Sequence, residues 1–231
     1  MNQELQNQKV DIIVSTLKAS FGYVPLAGGI LAEVIGNIIP NQRIDRIANL
    51  VGILTEKVKD IEEDIIKQKM QLSEYVDLFE DCCWAVSRAL TVERKEHIAN
   101  VFVNGLKDEE VNLSNHKRIL NILNQLDDID LIFIKYYILS TWMHNEAREY
   151  FYLHEEILTE KKVYLGAGAE QHYDREYYLM HKRHIYSLGL IEHDKDATQV
   201  EQNEFKKLKA TWLSVLVLNE IGQLPEDFPY K

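Results

Sequence analysis

Residues 44–76, IDRIANLVGILTEKVKDIEEDIIKQKMQLSEYV, decide the fold class. Their apolar positions, Ile44, Ile47, Val51, Leu54, Val58, Ile61, Ile65, Leu72 and Val76, recur at threes and fours apart from one wider gap, with Lys and Glu on the other face. An α-helix brings residues three and four apart onto one side, so the stretch predicts a long amphipathic helix, in a bundle or a short coiled coil. Such a stripe can also seat a second copy of itself. Ile47, Val51, Leu54, Val58, Ile61 and Ile65 are therefore the candidate oligomerisation residues.

Upstream, residues 3–19 read as a first helix with Val10, Ile13, Val14 and Leu17 in one stripe, broken by Gly22 and Pro25. Residues 21–40, FGYVPLAGGILAEVIGNIIP, are almost wholly apolar and contain four glycines. Crossing a bilayer takes about 20 helical residues, which this segment nearly supplies. Pro25 and Glu33 interrupt it, however, and a carboxylate at mid-membrane costs about 3 kcal/mol. Gly28, Gly29, Ala32 and Gly36 serve close helix packing in a bundle equally well. Burial or an oligomer interface is thus the first reading, and conditional membrane insertion the second. Phe21, Leu26, Gly28, Gly29, Ile30, Val34 and Ile38 are the candidate residues for contact with a partner or a membrane.

Downstream, residues 78–90 are apolar enough for burial, and Thr91 is a serviceable N-cap for a helix ending at Gly105, with Glu93 in its first turn. The polar stretch 106–115 marks a boundary, giving an N-terminal helical unit over 1–111 and a C-terminal unit over 112–231. Ser114 or Asn115 can cap the next helix. A second apolar helix follows over 129–144, with Leu131, Ile134, Ile138 and Leu139 inward, and residues 145–162 continue as helix with a bend. LGAGAEQ (165–171) is a turn, 174–188 a helix, LGLIEHDKDATQ a helix end and hairpin, and 205–221 a closing apolar helix. Helix, LGLI-type turn, hairpin and helix in that order form the skeleton of a winged helix. The expected fold is all-α: a multi-helix bundle with a long amphipathic helix and a C-terminal winged-helix-like unit.

The net charge is -11, and acids outnumber bases in both halves. Phosphate backbones reward clustered Lys and Arg, so nucleic acid is a disfavoured partner. Even the helix over 174–188, the groove-reading one in a winged helix, sets Arg175, Lys182 and Arg183 against Asp174 and Glu176. The only cysteines, Cys82 and Cys83, are adjacent, a geometry strained for a disulfide, and the start MNQELQNQKVD lacks a signal peptide's basic and apolar regions. A cytoplasmic location is expected, with membrane association only on activation.

His172, His181, His184 and His193 lie close together, and His181 and His184 share a helical face at a spacing that zinc sites use. No carboxylate or thiolate partner is fixed by the sequence, so they read as solvated or hydrogen-bonded surface histidines, and no metal is assigned. GxSxG is absent, the cysteines lie on an apolar helix, and LGAGAE precedes no GK[ST] run, so no catalytic residue and no cofactor is expected. Tyr136, Tyr137, Tyr150, Tyr152, Tyr173, Tyr177 and Tyr178 suit an interaction surface, or ordinary half-buried packing.

VPLAGGILAEVIGNIIPNQRIDRIANLVGIL (24–54), ERKEHIANVFVNGL (93–106), ILNQLDDIDLIFIKYY (122–137) and LGLIEHD (188–194) together resemble a loose group of helical bacterial proteins similar to the abortive-infection alpha type. In that group a glycine-bearing apolar region precedes a long amphipathic helix and a helical C-terminal part. The resemblance implies a role in phage defence or a related stress response and carries over no catalytic residues. The expected function is a non-enzymatic interaction protein, a homo-oligomer or partner of another protein, that can expose its apolar segment to a membrane or partner. The alternative is an adaptor or regulator whose winged-helix-like unit binds a protein or, as the weaker option, DNA.

Overall fold

The computed structural model describes residues 43–108 and 113–230, in eleven helices and one two-stranded sheet, the all-α bundle that the periodicity predicts. The helices expected over 3–19 and 25–39, with Phe21, Leu26, Gly28, Gly29, Ile30, Val34 and Ile38, lie outside the described residues. No described helix is long and apolar enough to cross a membrane. The chain divides into two compact units, residues 1–121 and 122–231.

In the first unit, the stretch expected as one helix over 44–76 forms α1 (Ile44–Lys57), α2 (Glu63–Lys69) and the start of α3 (Ser73–Arg88). Length explains the correction. A straight helix over 44–76 would run about 50 Å at 1.5 Å per residue, whereas its packing partners α3 and α4 (Val92–Lys107) reach about 24 Å. Beyond Val58 the apolar stripe would have nothing to lie against. Instead the chain turns over residues 58–62, which returns Ile66 and Met70 to the core.

Packing of α1 on α3 and α4 buries Ile47, Leu50, Val51 and Leu54 with Phe79, Val86, Ile98 and Phe102. The Phe79 and Phe102 rings meet at 5.4 Å. Thr91 caps α4 as its sequence predicts, its hydroxyl oxygen accepting from the Arg94 N–H at 3.2 Å. At the other end of α4 the Lys69 ammonium donates to the Leu106 carbonyl at 2.7 Å and to that of Asp108, where a cation suits the helix dipole. Gly105 allows a close approach: a Cβ there would stand 3.0 Å from Leu78 Cδ2 and 3.4 Å from Leu113 Cδ2. Leu113 opens α5 (Leu113–Gln125), whose first turns also bring His116 within 3.3 Å of Asp108 and Lys117 within 3.1 Å of Asp81. These contacts join the start of α5 to the first unit, which extends through Asn121.

The second unit is built round α6 (Asp128–Trp142), which is apolar on nearly every side and therefore central. Packed on it are α7 (His144–Leu153), α9 (Ala169–Ser187), β2 (Leu208–Ala210) and α11 (Trp212–Glu220), with α8 (Glu155–Leu158) following α7 across a break at His154. Gly189, at φ +73°, takes the left-handed position that ends α9, and the Leu190 N–H then donates back to the Ile185 carbonyl at 3.0 Å. β1 (Ile191–His193) pairs antiparallel with β2, Ile191 opposite Ala210, and α10 (Gln199–Asn203) lies in the connection. Helix, turn, hairpin and helix thus follow in the expected order.

The closing helix starts at Trp212, not at Phe205. Phe205 and Lys207 have φ of 52° and 47°, which a right-handed helix does not accommodate, and residues 208–210 belong to β2. Packing holds the strained Phe205: its ring meets Tyr186 edge-on at 5.5 Å, with the Arg183 guanidinium 5.7 Å from its centre. Thr141 ties the hairpin to α6 by accepting from the Ala210 N–H at 3.1 Å. Trp142 and Trp212 pack at 5.4 Å, with Phe228 against the first and Tyr230 against the second.

Candidate functional site

The sequence LDDID at the entry to α6 makes a capping box. Asp127 is the N-cap and accepts from the Asp130 N–H at 2.8 Å, while Asp130 Oδ2 accepts from the Asp127 N–H at 3.1 Å. This reciprocal pair fixes the Asp130 carboxylate against the first turn, where the helix dipole favours a negative charge. Asp130 is only 1% exposed. A carboxylate so far from water must be satisfied by donors from the protein.

Those donors come from α9, which packs against α6. His181 and His184 are three residues apart on it and reach the same carboxylate, His181 Nδ1 to Oδ1 at 2.8 Å and His184 Nδ1 to Oδ2 at 2.9 Å. A bond to a carboxylate requires the hydrogen on Nδ1, so both rings are held in that tautomer. Asp127 Oδ2 stands 3.7 Å from the same His181 nitrogen. The His181 ring stacks on Phe133, 6.1 Å between centres and 17° between planes. Neither Nε2 has a partner among the described residues.

The cluster lines a cleft of about 840 Å³ whose other walls include Tyr173, Glu176, Tyr177, Met180 and Arg183. Tyr173 and Tyr177 are each 64% exposed and Met180 50%. Arg183 is paired with Glu176 at 2.9 Å. Next to His181, Lys182 is buried beneath the Tyr178 ring, and burial, partly opposed by Glu160, pulls its ammonium down to about 8.

The expected groupings divide. Of the four histidines, His181 and His184 converge, His172 is exposed, and His193 sits between Tyr186 and Phe205 with Nδ1 3.2 Å from the Lys206 carbonyl oxygen. Ile47, Val51, Leu54 and Val58 are buried within the first unit without a second copy, Ile61 is half-buried and Ile65 exposed. Cys82 and Cys83 are buried, and burial pushes both thiols well up, away from nucleophilic chemistry.

The helix begins at Asp128, one residue before the Ile129 start that the apolar period suggests, and this places Asp130 in its first turn. Its signal was available: an Asp three residues after another Asp, opening an apolar helix, is a capping pair. That the cap would also receive two imidazoles depends on how α9 crosses α6, which no local pattern encodes. Compared with protein-family models, curated proteins and solved structures, the chain finds no match.

Proposed function

We propose that this chain is a non-enzymatic helical interaction protein, working in the phage defence that its sequence resemblance implies. Its C-terminal unit meets a protein partner through the outward face of α9. The observation that carries this reading is the run of Tyr173, Tyr177 and Met180, large side chains at successive turns of α9 that stand at least half exposed. Contiguous aromatic surface of this kind marks contact sites, because tyrosine offers rigid amphipathic area at small entropic loss. The charge of the face favours protein over DNA: Arg183 is neutralised by Glu176, and phosphate recognition needs unpaired, clustered cations.

The test is expression of the full chain in bacteria challenged with phage, beside a Tyr173→Ser, Tyr177→Ser, Met180→Ser variant. Protection or growth arrest is expected to disappear in the variant at an unchanged melting temperature. Equal protection removes the reading. A gel-shift series across salt addresses the DNA alternative, since true phosphate contacts weaken steeply as salt rises. Membrane contact through the 21–40 segment remains a separate branch, tested by liposome leakage of the intact protein against Gly29→Asp.

A further inference from the structure

Asp127, Asp130 and His181 bring one ligand atom each to within 4.8 Å of one another. Ligand atoms about 2.1 Å from a shared ion stand roughly 3 to 3.5 Å apart in octahedral or tetrahedral geometry. The separations of His181 Nδ1 from Asp130 Oδ1, 2.8 Å, and from Asp127 Oδ2, 3.7 Å, bracket that range. Two further observations point the same way. Asp130 is buried and its carboxylate is aimed by the Asp127 N–H, so the ligand is already in place, and the three groups open onto a cleft that leaves room for water or a small ligand at remaining coordination positions.

We propose that Asp127, Asp130 and His181 form a binding site for a divalent first-row transition ion. His184 acts on it indirectly, donating its Nδ1–H to the second oxygen of Asp130 and so fixing that ligand's orientation. The donor set of two carboxylate oxygens and one imidazole nitrogen selects the ion class. Imidazole suits Zn²⁺, Fe²⁺ and their neighbours, whereas Ca²⁺ demands more oxygen ligands and Mg²⁺ prefers water and carboxylate. On binding, the ion takes the place of the proton between His181 Nδ1 and Asp130. That hydrogen is re-bound at Nε2 through solvent, which frees Nδ1 for the ion and leaves the number of ring hydrogens unchanged.

The experiment uses the full-length chain, stripped with EDTA, dialysed and titrated with Zn²⁺ by calorimetry. Co²⁺ is added as a spectroscopic probe, and Mg²⁺ and Ca²⁺ are run beside them. Saturable uptake of one Zn²⁺ per chain is expected, with neither Mg²⁺ nor Ca²⁺ competing at equal concentration. Asp127→Ser is the decisive variant, because a serine still caps the helix while removing the carboxylate. Its melting temperature should stay within a few degrees of the parent's while Zn²⁺ affinity falls at least about 100-fold; His181→Phe should lose as much affinity but at a lowered melting temperature, because Asp130 Oδ1 also loses its donor. His184→Ala should weaken binding about 10-fold, as loss of a group that orients a ligand does. No saturable uptake by the parent chain overturns the proposal, and so does equal uptake by Asp127→Ser and His181→Phe, which places the ion elsewhere.

Discussion

The two units of this chain fill their interiors differently. Among the described residues of the first, no Asp, Glu, Lys or Arg is buried, and its buried polar side chains are Ser87, His97 and His116. The second buries Asp130, Lys182 and Glu220. A buried ionisable group rarely improves stability over an apolar one of the same shape, and it needs partners to be tolerated at all. Of the second unit's buried ionisable groups, Asp130 lines the cleft, Lys182 lies on α9 against the Tyr178 ring and Glu220 on α11.

That contrast breaks or sharpens by measurement, with Trp84 reporting on the first unit and Trp142 with Trp212 on the second. The largest effect is expected from Phe102→Ala, which removes a fully buried ring packed at a tilt against Phe79 and should lower the first unit's urea stability by about 3 to 5 kcal/mol. Next comes Asp130→Ala, which strips three donors of their acceptor and should cost the second unit about 3 kcal/mol. A loss below about 0.5 kcal/mol, the range of ordinary surface changes, would mean the carboxylate does not hold α6 to α9.

Lys182→Met reverses the sign. Burial holds the Lys182 ammonium at about 8 instead of 10.5, so below pH 8 the protonated side chain carries its full desolvation penalty in the folded state. Between about pH 8 and 10.5 the unfolded chain binds more protons than the folded one, and stability rises with pH. The methionine variant should be more stable than the parent by about 1 to 2 kcal/mol at pH 7, and its melting temperature should lack this contribution to the alkaline rise. A variant less stable than the parent would show that the Tyr178 contact outweighs desolvation. The smallest effect is expected from Lys207→Gly: it relieves a left-handed residue but adds unfolded-state freedom, a net gain under about 1 kcal/mol by thermal melting.

Much of the architecture was written locally. Thr91 announces its helix because a hydroxyl before an apolar period can satisfy a free N–H, and Gly189 announces the end of α9 because the chain there needs positive φ. Where the text misled, the cause was tertiary. The stripe over 44–76 is continuous in period yet folds back after Val58, since the helices it lies against are only half as long. Residues 205–211 look helical by composition, but pairing with Ile191–His193 and the ring of Tyr186 hold them otherwise. The candidate site shows the same limit: HKRH gives two imidazoles on one face and DDID gives a cap, while their meeting is a property of two crossing helices far apart in sequence.

The indoles of Trp142 and Trp212, 5.4 Å apart, have a consequence for observing the molecule. Chromophores that near share excitation, so the pair should give a signed doublet in circular dichroism that neither ring gives alone. With Phe228 and Tyr230 leaning on it, the doublet registers whether the C-terminal tail is seated, without any attached dye.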